Sequence, residues 1–397
     1  MIKNIIYQYK SAYSGLPGEA WLLALTVLIN RSGSMVLFFM AIYLTSQLGF
    51  TVSKAGQMIS IYGAGALIGA FAGGWLSDLI GSIRVQMLSL FFSGIGYLLL
   101  AYMTDTFTIA ALLFVIAIVS ESFRPANATA LSTFCPPEIR SRGFALNRLA
   151  INLGVTIGPA VGGFLATIDY IYLFWVDGIT YFGAAILVWI FFHEKIKKYV
   201  STKKTFSNTQ ISPWKDKLFL STLLILLIIG LSFFQLFTTW PLYLKNIYSF
   251  VEDRIGLLLA INAIFVVIVE MPLIHKLERK NIFPILGIGG FLLLLGFGLL
   301  PFGNSFIYVA FTVIIWTIGE MLVFPFFAAY VANRASDANR GKYMGMFNFT
   351  FALAFVIGPY LGSWVYNSFG AEILWYAIGL TGIPVMFGFF ILNRRSI

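Results

Sequence analysis

Phe123 to Gly163, FRPANATALSTFCPPEIRSRGFALNRLAINLGVTIGPAVGG, and Val323 to Ser363, VFPFFAAYVANRASDANRGKYMGMFNFTFALAFVIGPYLGS, follow one plan. Pro125, Gly158, Pro159 and Gly162 return as Pro325, Gly358, Pro359 and Gly362, each 200 residues further on. The Arg142-Gly143 pair returns as Arg340-Gly341 at an offset of 198. Agreement of this kind is improbable by chance, so the 397-residue chain reads as a duplicated half.

Working outward, both copies lie in a sequence that is 59% hydrophobic and only 11% charged. That is about half the charged share of a typical soluble domain, so most of the surface cannot face water. A hydrocarbon core ~30 Å thick takes ~20 apolar residues per helix. Uninterrupted apolar runs give twelve spans, at 19–45, 56–80, 85–103, 107–132, 144–167 and 170–192 in the first half, and at 218–244, 254–274, 282–302, 306–332, 343–367 and 371–393 in the second. The expected fold is an all-α membrane protein of twelve transmembrane helices in two pseudo-symmetric six-helix bundles, residues 1–192 and 218–397, joined by a linker at 193–217. The N-terminal stretch has no short apolar region ending at a small-residue cleavage site, so the first span is expected to be its own insertion signal.

Charge sets the expected topology. With both termini in the cytoplasm, inside segments hold 21 of the 26 Lys and Arg, including seven lysines between Lys195 and Lys217. Outside loops hold only Lys54, Lys245 and Arg254, the asymmetry of the positive-inside rule. The net charge of +10 is thus sorted by loop, not gathered on one soluble face, and nucleic acid is not an expected partner. The linker lysines are either a plain solvated loop or a contact for anionic lipid headgroups. Cys135 is the single cysteine, and with only His193 and His275 beside it no metal or cofactor site is expected.

Charges inside the spans need a reason, because one at mid-bilayer costs ~2.5 to 3.5 kcal/mol even on lenient insertion scales. Arg31, Glu121, Arg124, Asp177, Glu270 and Glu320 occupy such positions. Glu121 and Arg124 stand three apart on neighbouring parts of one helix face, which permits a local ion pair. A carboxylate in an apolar setting is pushed toward protonation by desolvation and away from it by a nearby arginine, as a proton carrier requires. The alternative is that these groups form fixed pairs that only hold helices together. Phe233, Phe234, Phe237, Trp240, Phe324, Phe326 and Phe327 could line an apolar recess suited to lipophilic cations, or could simply face lipid.

Gly74-Trp75-Leu76-Ser77-Asp78-Leu79-Ile80-Gly81-Ser82-Ile83-Arg84 resembles the loop signature between the second and third helices of the major facilitator superfamily. The resemblance implies a cytoplasmic gate at Gly74, Asp78, Gly81 and Arg84, with the glycines allowing close approach. Basic residues usual in the family are replaced here by Leu79, Ser82 and Ile83. Gly154, Gly158, Pro159, Gly162 and Gly163 of the fifth span resemble the motif that marks antiporters in that family. Pure helix packing is the alternative, since the eleventh span carries a similar GPYLG run. GEMLVFP at Gly319 to Pro325, RGKYMG at Arg340 to Gly345 and ESFRPAN at Glu121 to Asn127 look most like multidrug exporters of the MdtH and LmrP type, where a glutamate of the tenth helix couples to protons. Glu320 matches it. In the superfamily, helices 1, 4, 7 and 10 line the central cavity, so Arg31, Glu121, Arg124 and Glu320 would reach it. Proton-dependent oligopeptide transporters share a related GE pattern, but their first-helix E-x-x-E-R-F is here Val27-Leu28-Ile29-Asn30-Arg31-Ser32, with the arginine and neither glutamate.

The resemblance implies a secondary transporter, not an enzyme, working by alternating access: efflux of hydrophobic or cationic small molecules against inward protons. Proton-coupled uptake of a small polar nutrient such as a peptide is the second possibility, and a non-transporting receptor the third. A monomer in a bacterial plasma membrane, surrounded by lipid and without a cofactor, is the expected setting.

Overall fold

Each apolar run becomes a helix because backbone groups in hydrocarbon must find their partners within the segment. In a computed structural model of the chain, the described residues are 15–136, 139–196, 213–277, 280–334 and 340–396. Residues 1–14 and most of the expected linker, 197–212, lie outside that set.

The described elements are helical. They are α1 (Gly18–Ser32 and Val36–Ser46), α2 (Val52–Ile80), α3 (Ser82–Leu100), α4 (Thr106–Glu121 and Phe123–Phe134), α5 (Arg140–Ile168) and α6 (Ile171–Ile196). The second half repeats the set as α7 (Lys217–Phe233, a 3-10 turn Phe234–Phe237, and Thr239–Asn246), α8 (Glu252–Leu277), α9 (Ile282–Gly298), α10 (Phe306–Arg334), α11 (Arg340–Phe369) and α12 (Ala371–Ser396). Among the described residues, eleven helices are long and apolar enough to span a membrane. The twelfth, α9, has 17 residues and continues into a 3-10 turn at Leu300–Phe302. The expected count of twelve is met. Three spans expected to be continuous are interrupted, α1 at Gly33 to Met35, α4 at Ser122 and α7 at Phe234 to Thr238.

Side-chain caps fix several starts. Asp105 accepts from the Thr108 N–H at 2.9 Å, Asp216 from the Phe219 N–H at 3.1 Å, and Asn281 from the Phe283 N–H at 3.2 Å. At the α2–α3 turn, Gly81 has φ +95°, a backbone state that a side chain would strain.

The described chain divides into two compact units. One comprises Met1–Val36 and Gly65–Thr202, the other Leu37–Ala64 and Lys203–Ile397. In the first, Gly65, Gly69 and Gly73 form a stripe along α2 that meets α4 backbone to backbone. A Cβ at each would fall 2.4 Å from the carbonyl oxygens of Phe114, Ile118 and Ser122 respectively. Gly74, expected to give the close approach, faces open space, and its neighbour Gly73 does the packing. Polar ties reinforce the bundle: Ser89 donates to the Val119 carbonyl at 2.6 Å, and Asn127 donates to Gln86 at 3.3 Å.

In the second unit, the C-terminal half of α1 and the N-terminal half of α2 pack with α7 and α11. The Phe38 ring meets Phe237 at 5.0 Å in a tilted pair, and a Cβ on Gly63 would lie 2.9 Å from the Phe355 carbonyl. Gly289, Gly296 and Gly319 bring α9 and α10 together, and Gly298 meets Gly379 of α12.

Candidate functional site

The break in α1 organises the charges of the first unit. Met35 and Val36 open the second half-helix, and their N–H groups would otherwise be unsatisfied. The Asp177 carboxylate of α6 accepts from Met35 at 3.0 and 3.1 Å and from Val36 at 2.9 Å. Asp177 is fully buried at 0% exposure, so its donors are the protein's own backbone N–H groups and it serves as an N-cap placed 142 residues away in sequence. Gly33, in the break, lies so tight on Thr180 that a Cβ would meet its Oγ1 at 1.8 Å.

Arg31 sits two residues before this break and is half-buried. It packs on the glycine motif of α5: a Cβ on Gly154 would stand 2.5 Å from the Arg31 Cβ, and one on Gly158 would stand 3.0 Å from the Arg31 carbonyl. Gly154, Gly158, Pro159, Gly162 and Gly163 are all buried. Gly154 and Gly158 of the motif thus let the arginine-bearing turn of α1 come close to α5.

The second half repeats this arrangement with different chemistry. A Cβ on Gly358 of α11 would lie 3.0 Å from the Leu231 carbonyl of α7, and Gly362 lies against the Gln235 side chain. Gln235 fills the α7 break, donating to the Leu231 carbonyl at 2.9 Å and the Gly358 carbonyl at 2.7 Å, and accepting from Thr239 at 2.8 Å. Where the first half has a carboxylate and an arginine, the second has an amide and a leucine.

Glu121 and Arg124 flank the α4 interruption. Pro125 lacks the N–H that would bond back to Glu121 and forces the helix to bend there. At the break the Ser122 hydroxyl shares its one proton between the carbonyls of Ile118 at 2.8 Å and Gly69 at 3.0 Å, tying α4 to α2. Arg124 is exposed, and the charges of Glu121 and Arg31 both act on it, so the three expected groups share one electrostatic neighbourhood. The buried Tyr181 feels Arg31, Asp177 and Glu121 together.

In the second unit, Glu320 is half-buried on α10. Its Oε2 accepts from the Asn262 amide of α8 at 3.0 Å, and the same amide donates to Thr317 at 2.9 Å. Asn262 is 58 positions away in sequence. Phe324, one turn on and on the same face, meets Phe233 at 4.9 Å and Phe351 at 5.2 Å, with the rings edge-on. Phe234 stacks on Phe355 at 4.6 Å. Of the aromatics singled out from sequence, Phe233, Phe234, Phe237 and Phe324 are partly exposed here, whereas Trp240, Phe326 and Phe327 are buried in the helix packing. Phe351 and Phe355 of α11 join the group instead.

Glu270 is buried on α8. Asp78 and Arg84, at the ends flanking the α2–α3 turn, are exposed. A cluster not anticipated from sequence stands at the start of α7. Arg334 forks onto Asp216 at 2.6 and 2.8 Å, and Tyr343 donates to the same carboxylate at 2.9 Å. Burial alone would raise the Asp216 carboxyl, but the hydrogen bonds from Arg334, Phe219 and Tyr343 and the arginine charge hold it below the usual carboxylate value. The hydrogen bond to Asp216 correspondingly raises Arg334. No group of three or more potential metal ligands gathers among the described residues.

The chain has counterparts among known proteins. Residues 22–354 match the Major Facilitator Superfamily model. The chain is similar to the uncharacterised MFS-type transporter YqjV of Bacillus subtilis (strain 168), 27% identical over 369 residues, covering 89% of this chain and 87% of that protein. It is similar to the quinolone resistance protein NorA of Staphylococcus aureus (strain MSSA476), 22% identical, covering 89% and 91%. Among solved structures, a peptide transporter POT variant in complex with alafosfalin has the same fold, with a TM-score of 0.79 at 16% identity over 97% of this chain and 95% of that one. A family of transporters and not of enzymes is indicated, and the match spans most of the sequence: the chain belongs to the Major Facilitator Superfamily.

Proposed function

We propose that this transporter exports hydrophobic or cationic small molecules in exchange for protons, with Glu320 as the proton-carrying carboxylate. The observation that carries the reading is a carboxylate on a membrane helix, held by Asn262, with Phe324 one turn on along the same face and the rings of Phe233 and Phe351 packed on Phe324. An acid next to aromatic rings attracts a lipophilic cation by charge, cation-π contact and dispersion. Protonation of the acid removes the charge and weakens that hold, so proton and substrate compete for one site. The similarity to the quinolone resistance protein NorA supports export as the direction. Arg31, Glu121 and Arg124 orient the other half of the pathway, and Asp78 with Arg84 serves the gate.

Two bodies, residues 1–192 and 218–397 joined by 193–217, rock about the site to expose it to each side in turn. Both termini lie in the cytoplasm of a bacterial cell, and the monomer works in the plasma membrane with lipid as its solvent. Proteoliposomes with an imposed pH gradient test the direction. Ethidium or a fluoroquinolone moving against the proton flux supports exchange. A dipeptide accumulating with the protons, bound through Arg31 or Arg124, would replace this reading with uptake.

A further inference from the structure

Thr317 is fully buried on α10, and its hydroxyl has one proton to give. That proton goes to the Val313 carbonyl at 2.6 Å. The oxygen therefore offers only lone pairs to Asn262 of α8, and the amide can answer only with N–H, at 2.9 Å. Turning the amide over would set two acceptors against each other in a site with no water-exposed alternative on the threonine. The second N–H of the same nitrogen then points at Glu320 Oε2, at 3.0 Å.

We propose that Asn262 is a positioning residue for Glu320, an amide locked by Thr317 so that it offers the carboxylate a donor and never an acceptor. This inference rests on the reading of Glu320 as the proton carrier and adds a residue pair that sets when the proton is held. A fixed donor favours the ionised carboxylate and disfavours the protonated acid, whose own O–H must find another partner. Asn262 thus holds Glu320 ready for a cation, and protonation weakens a tie between α8 and α10, because the neutral acid accepts the same N–H less strongly.

Other ionisable groups on the helices packed against α10 are Glu252, Asp253, Arg254, Glu270, His275 and Lys276 of α8, and Arg340, Lys342, Tyr343, Tyr360 and Tyr366 of α11; the nearest along α8, Arg254 and Glu270, each stand eight residues or ~12 Å along the helix from Asn262. Tyr330 and Arg334 follow on α10 itself, and α9 contributes none between Ile282 and Gly298. Asn262→Leu and Thr317→Val change no charge, so they leave those groups as they are and alter only the donor.

The test is isotope-edited infrared titration of the Glu320 carboxylate in the full-length protein in nanodiscs, assigned by its loss in Glu320→Gln. Asn262→Leu and Thr317→Val are expected to move its midpoint to higher pH by about one unit, roughly tenfold in proton affinity, and Thr317→Ser to keep the original midpoint. Thr317→Val preserves shape and serves if Asn262→Leu does not fold. Midpoints unmoved in both variants, or moved equally by Thr317→Ser, would overturn the proposal. A shift as expected, together with a Glu320→Gln protein that still couples transport to protons, would leave the positioning role standing and remove the proton-carrier reading.

Discussion

Gly158 lies under the carbonyl of Arg31 as Gly358 lies under the carbonyl of Leu231, with 3.0 Å from an added Cβ to the oxygen in both halves. Both members of each pair are displaced by 200 residues, so the duplication is kept as a contact and not only as a pattern of letters. The two halves share a packing joint between a broken helix and a glycine-faced one. They differ in what the joint presents, an arginine in one and a leucine in the other.

Gly154→Ala should therefore act on Arg31. The new methyl would meet the Arg31 Cβ at 2.5 Å, and overpacking of this sort costs about 1 to 3 kcal/mol. A lowered melting temperature in detergent and reduced transport are expected. Gly183→Ala, where nothing lies within 4 Å, should leave both unchanged.

Asp177 is predicted to act through backbone capping. Asp177→Ala strands two buried N–H groups and should destabilise by about 1 to 3 kcal/mol. Asp177→Asn retains one carbonyl acceptor and should lose less. Thermal unfolding of the two variants checks the order; equal losses would contradict the cap.

The Asp216 carboxyl sits below its ordinary value in the folded protein, so its contribution to stability is complete above the unfolded value of about 3.9 and disappears as pH falls through the folded value. Asp216→Asn should be less stable than the parent at pH 7, and the difference should close in acid below about pH 4. Arg334, raised by the same contact, stays protonated throughout and adds no slope of its own. Chemical denaturation at several pH values measures the gap.

The aromatic face adjoining Glu320 should set affinity for apolar cations. Phe324→Ala removes the ring that joins Phe233 to Phe351 and should raise KM for ethidium several-fold while leaving proton coupling in place. Phe327→Ala, in the buried packing, should instead lower stability by about 3 to 5 kcal/mol.

Much of this molecule was legible from its sequence. Apolar run length located the twelve helices, because lipid demands it, and the offset of 200 located the paired glycines. The breaks in α1 and α7 were hidden, since apolar residues run straight through them and their stabilisers lie elsewhere: Asp177 caps from another helix, and Gln235 reaches Gly358. Asn262 is an uncharged polar residue in an apolar span, a signal that a search for charges alone passes over. Asp216 stands among linker lysines, where a lone acid looks solvated until Arg334 closes on it. Gly73 and Gly74 cannot be told apart by composition; only the direction each faces separates them.

The most direct test of the central claim compares Glu320→Gln with the parent in proteoliposomes, measuring pH-gradient-driven export and substrate exchange at equal pH. Loss of the driven export with exchange preserved is the predicted result, since only the proton step is removed. Full gradient-driven export by Glu320→Gln would contradict the account.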